Sequence, residues 1–233
     1  MKMNKIIIFI VEGITDNISL SNAIDEILEN YNIKFYLCDG DFTSDNKITP
    51  SNILKEIGTF LNGEIGREYL KKKDIFKVIH IVDTDGTFVN ETFMKNGDVA
   101  DFFYDENYIM ARDIQLIKDR NARKVQNLEK LINTTKILKS IPYKIFYFSS
   151  NLEHVFHNKL NLSRKEKNEL AEKLEKKYIG NSEEFIQFLN KENIKIKGEY
   201  LQTWEYLKKG NNSLKKGTNF SLFFEELEDN MKD

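Results

Sequence analysis

Two prolines and one cysteine are all that 233 residues contain of either. Neither sign of charge prevails: 35 lysines and arginines face 37 aspartates and glutamates, a formal charge of −2. The lone cysteine, Cys38, excludes an intrachain disulfide and fits a reducing cytoplasm. The even charge excludes a non-specific basic coat, though not a local cationic groove. No apolar run reaches the length of about 18 residues that a transmembrane helix needs, so no membrane partner is expected. The opening "MKMNKIIIFIVEG" has too short an apolar part for a secretory signal, and an acid follows with no small-residue cleavage site. It reads as a first strand. A G-x-x-x-x-G-K-[ST] phosphate loop, internal repeats and low-complexity linkers are absent as well.

What is there suffices for a core: 40% hydrophobic residues and 12% aromatics, in a length that suits one domain or one domain with an appendage. Ile6 to Val11 is a continuous, largely β-branched run, the pattern of a strand covered on both faces. Ile18, Ala23, Ile24, Ile27 and Leu28 then recur at helical spacing. "IKFYLCDGDFTSD" is a second strand, and Thr49-Pro50 opens a second helix with Ile53, Ile57, Phe60 and Leu61 on one face. "FKVIHIVDTDG" is a third strand. This β-α-β-α-β order predicts right-handed crossovers and a parallel sheet between helices. An irregular aromatic and acidic insertion follows at about 87–120, with a short edge strand at Tyr108 to Ile114. Next come a helix in "NARKVQNLEKLINTTKILKS", with Val125, Leu128, Leu131 and Ile132 inward, and a fourth strand, "YKIFYFSS". Helices are expected at 163–179, 182–192, 199–208 and 219–229. The expectation is an α/β catalytic domain over 1–160, a sheet of about four strands flanked by helices, with a helical extension at 161–233 packed on it.

Acids stand at three strand ends. Glu12 closes the first strand, Asp83 and Asp85 close the third, and Glu153 follows the fourth; Asp16 lies three residues past Gly13. A parallel sheet brings all carboxyl ends to one edge, where ligands bind. Acids gathered there repel one another unless protons or cations compensate them, and a hard oxygen-liganded ion such as Mg²⁺ suits them. Each piece also has a structural account. Glu12-Gly13 can be a strand-to-helix turn with glycine for backbone geometry and Asp16 facing the helix dipole. "DTDG" can be a loop. Ser150 and Glu153 match a capping box.

Taken together, strand–EG–helix, strand–helix and strand–DxD–G resemble the Toprim domain over roughly residues 5–90. "EGITD", with Asp16 as the second acid, and "YFSSNLEHVFHNKL", with Glu153, are similar to the OLD-like (overcoming lysogenization defect) nuclease branch. The resemblance implies metal-dependent phosphodiester hydrolysis of DNA or RNA by a cytoplasmic enzyme of bacterial anti-phage defence and abortive infection. Asp83 and Asp85 would hold Mg²⁺ (or Mn²⁺), with Glu153 assisting or holding a second ion and Asp16 binding through water. Glu12 would ligate metal or move a proton. Most OLD proteins carry an ATPase, and without a phosphate loop here a separately encoded ATPase is the expected partner. The near-neutral charge suggests that a partner, a homo-oligomeric groove or a guide molecule adds nucleic-acid affinity. The alternative is a non-catalytic Toprim-fold regulatory or nucleic-acid-sensing subunit. Lys215 and Lys216, in "GNNSLKKGTNF" ahead of a helix, are candidates for the scissile phosphate; a solvated loop with Thr218 or Asn219 as a cap is the structural alternative. His80 reads as a core histidine, and His154 and His157 as neighbours of Glu153 without a third zinc ligand.

Overall fold

Period-two alternation in the first strand sets the two layers of the molecule. The structure is a computed structural model describing residues 5–232. The chain runs β1 (Lys5–Val11), α1 (Ile14–Glu29), β2 (Ile33–Asp39), α2 (Ile53–Arg67), β3 (Ile75–Asp83), β4 (Met94–Asn96), β5 (Phe103–Asp105), β6 (Tyr108–Ala111) and α3 (Ile114–Ile132). It continues through β7 (Lys136–Ile137), β8 (Ile141–Ser149), α4 (Leu152–His157), α5 (Arg164–Tyr178), α6 (Ser182–Leu189), α7 (Tyr200–Leu207), β9 (Gly217–Thr218) and α8 (Ser221–Lys232). Ile6, Ile8 and Ile10 pack with Ile57 and Leu61 of α2, Leu128 and Leu131 of α3 and Trp204 of α7. Ile7, Phe9 and Val11 pack the opposite way, with Ile24 of α1, Leu174 of α5, Phe185 of α6 and Phe223 of α8.

The sheet order is β2-β1-β3-β8-β7, with β9 also on β8. β2, β1, β3 and β8 are parallel, while β7 and β9 pair antiparallel with β8. The expected α/β class, a mostly parallel sheet flanked by helices, is therefore present. The two antiparallel strands are only two residues long, too short to leave a sequence pattern. Among the described residues no helix is long and apolar enough to cross a membrane.

Three expected boundaries shift. The edge strand expected over 108–114 stops at Ala111, because Asp113 caps α3 and accepts a hydrogen bond from Gln115 N at 2.9 Å. The insertion is not irregular throughout. β4, β6 and β5 form a small sheet of their own around Val89, Ile109 and Ile117. α2 starts at Ile53 rather than at Thr49-Pro50, which sit in a preceding turn where Asn52 Oδ1 accepts from Thr49 N at 2.8 Å.

The last third of the chain is built into the sheet. Asn219 Oδ1 accepts from Tyr147 N at 3.0 Å and Asn219 Nδ2 donates to Thr203 Oγ1 at 2.9 Å. Thr218 Oγ1 donates to Tyr147 O at 2.6 Å and accepts from Phe220 N at 3.0 Å. Asn219 thus serves β8, and Thr218 serves both β8 and the turn before α8. Asn219→Ala leaves the buried Tyr147 N–H without a partner. It is expected to lower stability by about 1–3 kcal/mol, read as a reduced urea midpoint with an unchanged denaturant slope.

Candidate functional site at the carboxyl edge of the sheet

Parallel pairing of β1, β3 and β8 puts Glu12, Asp83 and the start of α4 on one edge. The sheet then divides the acids between its faces. Glu12 continues the register of Ile6, Ile8 and Ile10 and meets the α3 side. Its Oε1 accepts from Thr43 Oγ1 at 2.7 Å and lies 3.6 Å from Lys124 Nζ. Lys124, with a side chain 0% exposed, donates to Asp85 Oδ2 at 2.6 Å. Arg120 Nη2 holds the Asp85 carbonyl at 2.7 Å. Asp83 continues the register of Ile79 and Ile81 onto the other face, where its Oδ1 accepts from Leu152 N at 3.1 Å. Buried Asp16 and Glu153 complete that half. Asp16 Oδ2 accepts from Gly13 N at 3.2 Å, and Glu153 Oε1 is 3.5 Å from Lys167 Nζ.

Two residues apart, Asp83 and Asp85 would share a face if the strand continued. It does not. β3 ends at Asp83, and Asp85 (φ +47°) and Gly86 (φ +64°) are left-handed, which turns the second acid toward α3. Buried Thr84 anchors this turn by donating to Ser213 O at 3.0 Å. A side chain on Gly86 would also meet Leu214 Cδ2 at 2.5 Å.

The capping box expected at Ser150 and Glu153 is displaced by one residue. Asn151 is the cap of α4 and accepts from His154 N at 2.9 Å, which leaves the Glu153 carboxylate for Lys167. Glycine at position 13 is not required by backbone geometry, since its φ of −152° is extended. Lys215 is exposed, and Lys216 donates to Asn158 Oδ1 at 2.8 Å. His80 is buried with its Nδ1 2.7 Å from Tyr143 OH, and burial, then Lys124, push it down to about 3, so it stays neutral. His154 Nε2 lies 3.1 Å from Glu106 Oε1. Burial lowers both His154 and His157.

Lys124, Lys167 and Arg120 escape a reading that looks for acids, yet the two lysines left a signal. Lys124 falls on the buried stripe Ile117, Asn121, Leu128, Leu131 at spacings of three and four. Lys167 lies one turn before Leu170 and Ala171 on the buried face of α5. A lysine at such a position must find a carboxylate.

Desolvation governs the electrostatics. It pushes Glu12 up to about 8, against Lys124 and aided by Asp41 and Asp85. It pushes Asp16 up to about 7 with help from Glu153. Asp83 rises well above the carboxylate range, from desolvation and from Asp16, Glu12, Asp85 and Glu153. For Asp85 desolvation also pushes upward, but Lys124 and Arg120 outweigh it and hold the group below its ordinary value. Burial opposes charge on Lys124 and Lys167, yet their acid neighbours raise both. The cluster has more carboxyl groups than cations, and in the metal-free protein protons on Glu12, Asp16 and Asp83 make up the difference.

Among the described residues no three His, Cys, Asp or Glu side chains stand close enough together to hold a metal ion as they are. The donor chemistry nevertheless fits a hard divalent cation, being oxygen only, with Glu153 Oε2 buried and without a hydrogen-bond partner. A cavity of about 780 Å³ opens on the cluster between the starts of α1 and α5, lined by Glu12, Asp39, Asp41, Arg164 and Lys167.

Compared with models of protein families, with curated proteins and with solved structures, the chain matches none.

Asp16 and Glu12 keep protons in the folded state that the unfolded chain releases near pH 4. Their stabilising contribution is complete below their unfolded values and is lost as pH rises through about 7 and 8. The melting temperature of the metal-free protein is expected to fall between about pH 5 and 9, and Asp16→Asn to flatten that slope, as differential scanning fluorimetry would record. Lys124→Met removes the cation beside Glu12 and leaves Asp85 chiefly Arg120. Full burial of such a pair makes this loss about 3–5 kcal/mol, and the 24% exposure of the Asp85 side chain reduces it. A chemical denaturation curve should show a loss of about 2–3 kcal/mol.

Proposed function

We propose that the chain is a Toprim-like nuclease that hydrolyses phosphodiester bonds of DNA or RNA with the help of Mg²⁺, or Mn²⁺ in its place. The observation that carries the proposal is the gathering of Glu12, Asp16, Asp83, Asp85 and Glu153, from three distant segments, at the carboxyl edge of a parallel sheet, so close that burial and mutual repulsion hold Glu12, Asp16 and Asp83 toward their protonated forms. Asp16, Asp83 and Glu153 would hold an ion on the α5 side, and Glu12 with Asp85 on the α3 side. When bound, such an ion supplies Lewis-acid stabilisation of phosphate charge and makes coordinated water more acidic.

The chain's own groups do the rest. Glu12 would help to hold that ion or, left free of it, move a proton to or from water, its value in the metal-free protein being pushed up to about 8 by burial. Leu152 N–H orients Asp83. Lys167 lines the large cavity together with Arg164, and it takes the phosphate-binding role that the sequence suggested for Lys215 and Lys216. A cytoplasmic effector role in phage defence, under a separately encoded ATPase, rests on the resemblance of "EGITD", "DTDG" and "SNLEHVFH" to the OLD-like branch.

The bond between Lys124 and Asp85 favours a second reading, a non-catalytic binding module whose lysines fill the site permanently. Purified protein with Mg²⁺ or Mn²⁺ is expected to nick plasmid or degrade RNA, and Glu12→Ala and Asp83→Ala each to reduce this by at least a hundredfold, the scale of a lost acid–base group. Mg²⁺ should raise the melting temperature of wild type and not of Asp83→Ala. Cleavage that survives both substitutions ends the nuclease assignment. Absence of both cleavage and a Mg²⁺-dependent thermal shift favours the binding module.

A further inference from the structure

A second cavity, of about 190 Å³, lies beside the acid cluster, lined by Phe102 and Tyr104 from the insertion together with Asp85, Asn151, Glu153 and Lys159. We infer that this cavity seats one unpaired nucleobase, so that the strand presented to the carboxylates is single-stranded. The inference deepens the nuclease reading and rests on it for the identity of the polymer.

Four observations carry it. The first is size: an apolar cavity of about 150 Å³ accepts a benzene ring, and this one is larger, at about 190 Å³, and has both aromatic and polar residues in its lining. The second is that the rings are held in advance. Asn161 straps Tyr104 from both sides, Nδ2 donating to its carbonyl at 2.7 Å and Oδ1 accepting from its N–H at 2.8 Å. Arg120 donates to Tyr104 OH at 2.6 Å, and its guanidinium lies 4.7 Å from the centre of the Phe102 ring. The same arginine holds the Asp85 carbonyl, so one side chain ties the aromatic wall to the acid cluster.

The third is the mixture of groups. Aromatic faces for stacking, the Asn151 amide for a base edge and the Lys159 and Lys167 ammonium groups for a phosphate are what a nucleotide needs. The fourth is the charge of the whole chain, −2, which gives little general attraction for a phosphate backbone. Stacking supplies affinity that does not depend on net charge. A base paired within a duplex must first be unpaired and unstacked, at a cost of a few kcal/mol, before it can enter such a cavity, and a base in a single strand need not be unpaired.

The test measures binding and cutting separately. Binding of a labelled strand of about 12 nucleotides, as DNA and as RNA, and of the corresponding DNA duplex, is followed by fluorescence anisotropy with Ca²⁺ in place of Mg²⁺. The single strand of at least one sugar type is expected to bind at least tenfold tighter than the duplex. Phe102 packs in the small core of the insertion, so Phe102→Leu is used: it keeps apolar volume and removes the aromatic face. It should lose about tenfold in single-strand affinity with an unchanged melting temperature. Tyr104→Phe, which keeps the ring but loses the hydrogen bond from Arg120 that holds it, should bind more tightly than Phe102→Leu does. Equal affinity for duplex and single strand, or undiminished binding by Phe102→Leu, overturns the inference even if the protein cuts. Single-strand binding that depends on Phe102, without Mg²⁺-dependent cutting, upholds the base seat and overturns the nuclease reading.

Discussion

A buried lysine, Lys124, and a half-exposed one, Lys167, set among carboxylates are the constraint on which the edge of this molecule depends. Lys124 lies between Glu12 and Asp85, and Lys167 approaches Glu153 with Asp16 and Asp83 around it. An unpaired charge at the fully buried Lys124 would cost several kcal/mol, so that lysine depends on Glu12 and Asp85, while acids without a cation stay protonated. The opposed shifts express this balance. Asp85, closest to Lys124, is held acidic, while Asp83, with four acids around it, is driven toward its neutral form. A site in this condition favours an added cation without needing one to fold.

The topology determines which groups share that balance. Because β1, β3 and β8 run the same way, their ends meet; because the sheet is packed on both faces, the residues beyond those ends are divided between the two layers. The insertion joins this arrangement through Arg120, which reaches both the Asp85 backbone and the Tyr104 hydroxyl. The part that looks least regular in the sequence is thereby held against the most charged part of the structure.

Much of this was legible before any coordinates. The succession of strands and helices, the parallel sheet and the placing of five acids toward its carboxyl edge follow from apolar runs that end in carboxylates, but the order of the strands within the sheet does not. What escaped has physical causes. Asp83 and Asp85 look like a pair on one face because sequence spacing assumes a continuing strand, whereas the chain turns left-handed at Asp85. Ser150 looks like a helix cap, but Asn151 competes for the role and prevails. Lys124 and Lys167 stand in strongly charged helices, "NARKVQNLEK" and "SRKEKNEL", where a lysine attracts no notice. Only their phase relative to the apolar stripes sets them apart. β9 was invisible because its support comes from the side chains of Thr218 and Asn219 rather than from a strand pattern.

The contact between Thr84 and Ser213 spans 129 positions of the chain. β9 and Leu214, against Gly86, brace the same corner from equally far along. The turn that aims Asp85 at Lys124 has supports from the middle of the chain, in Arg120, Lys124 and Ser150, but gains its last braces on a ribosome only once residues 213–219 have emerged. A nascent chain thus carries all of its acids before the final contacts around them can form.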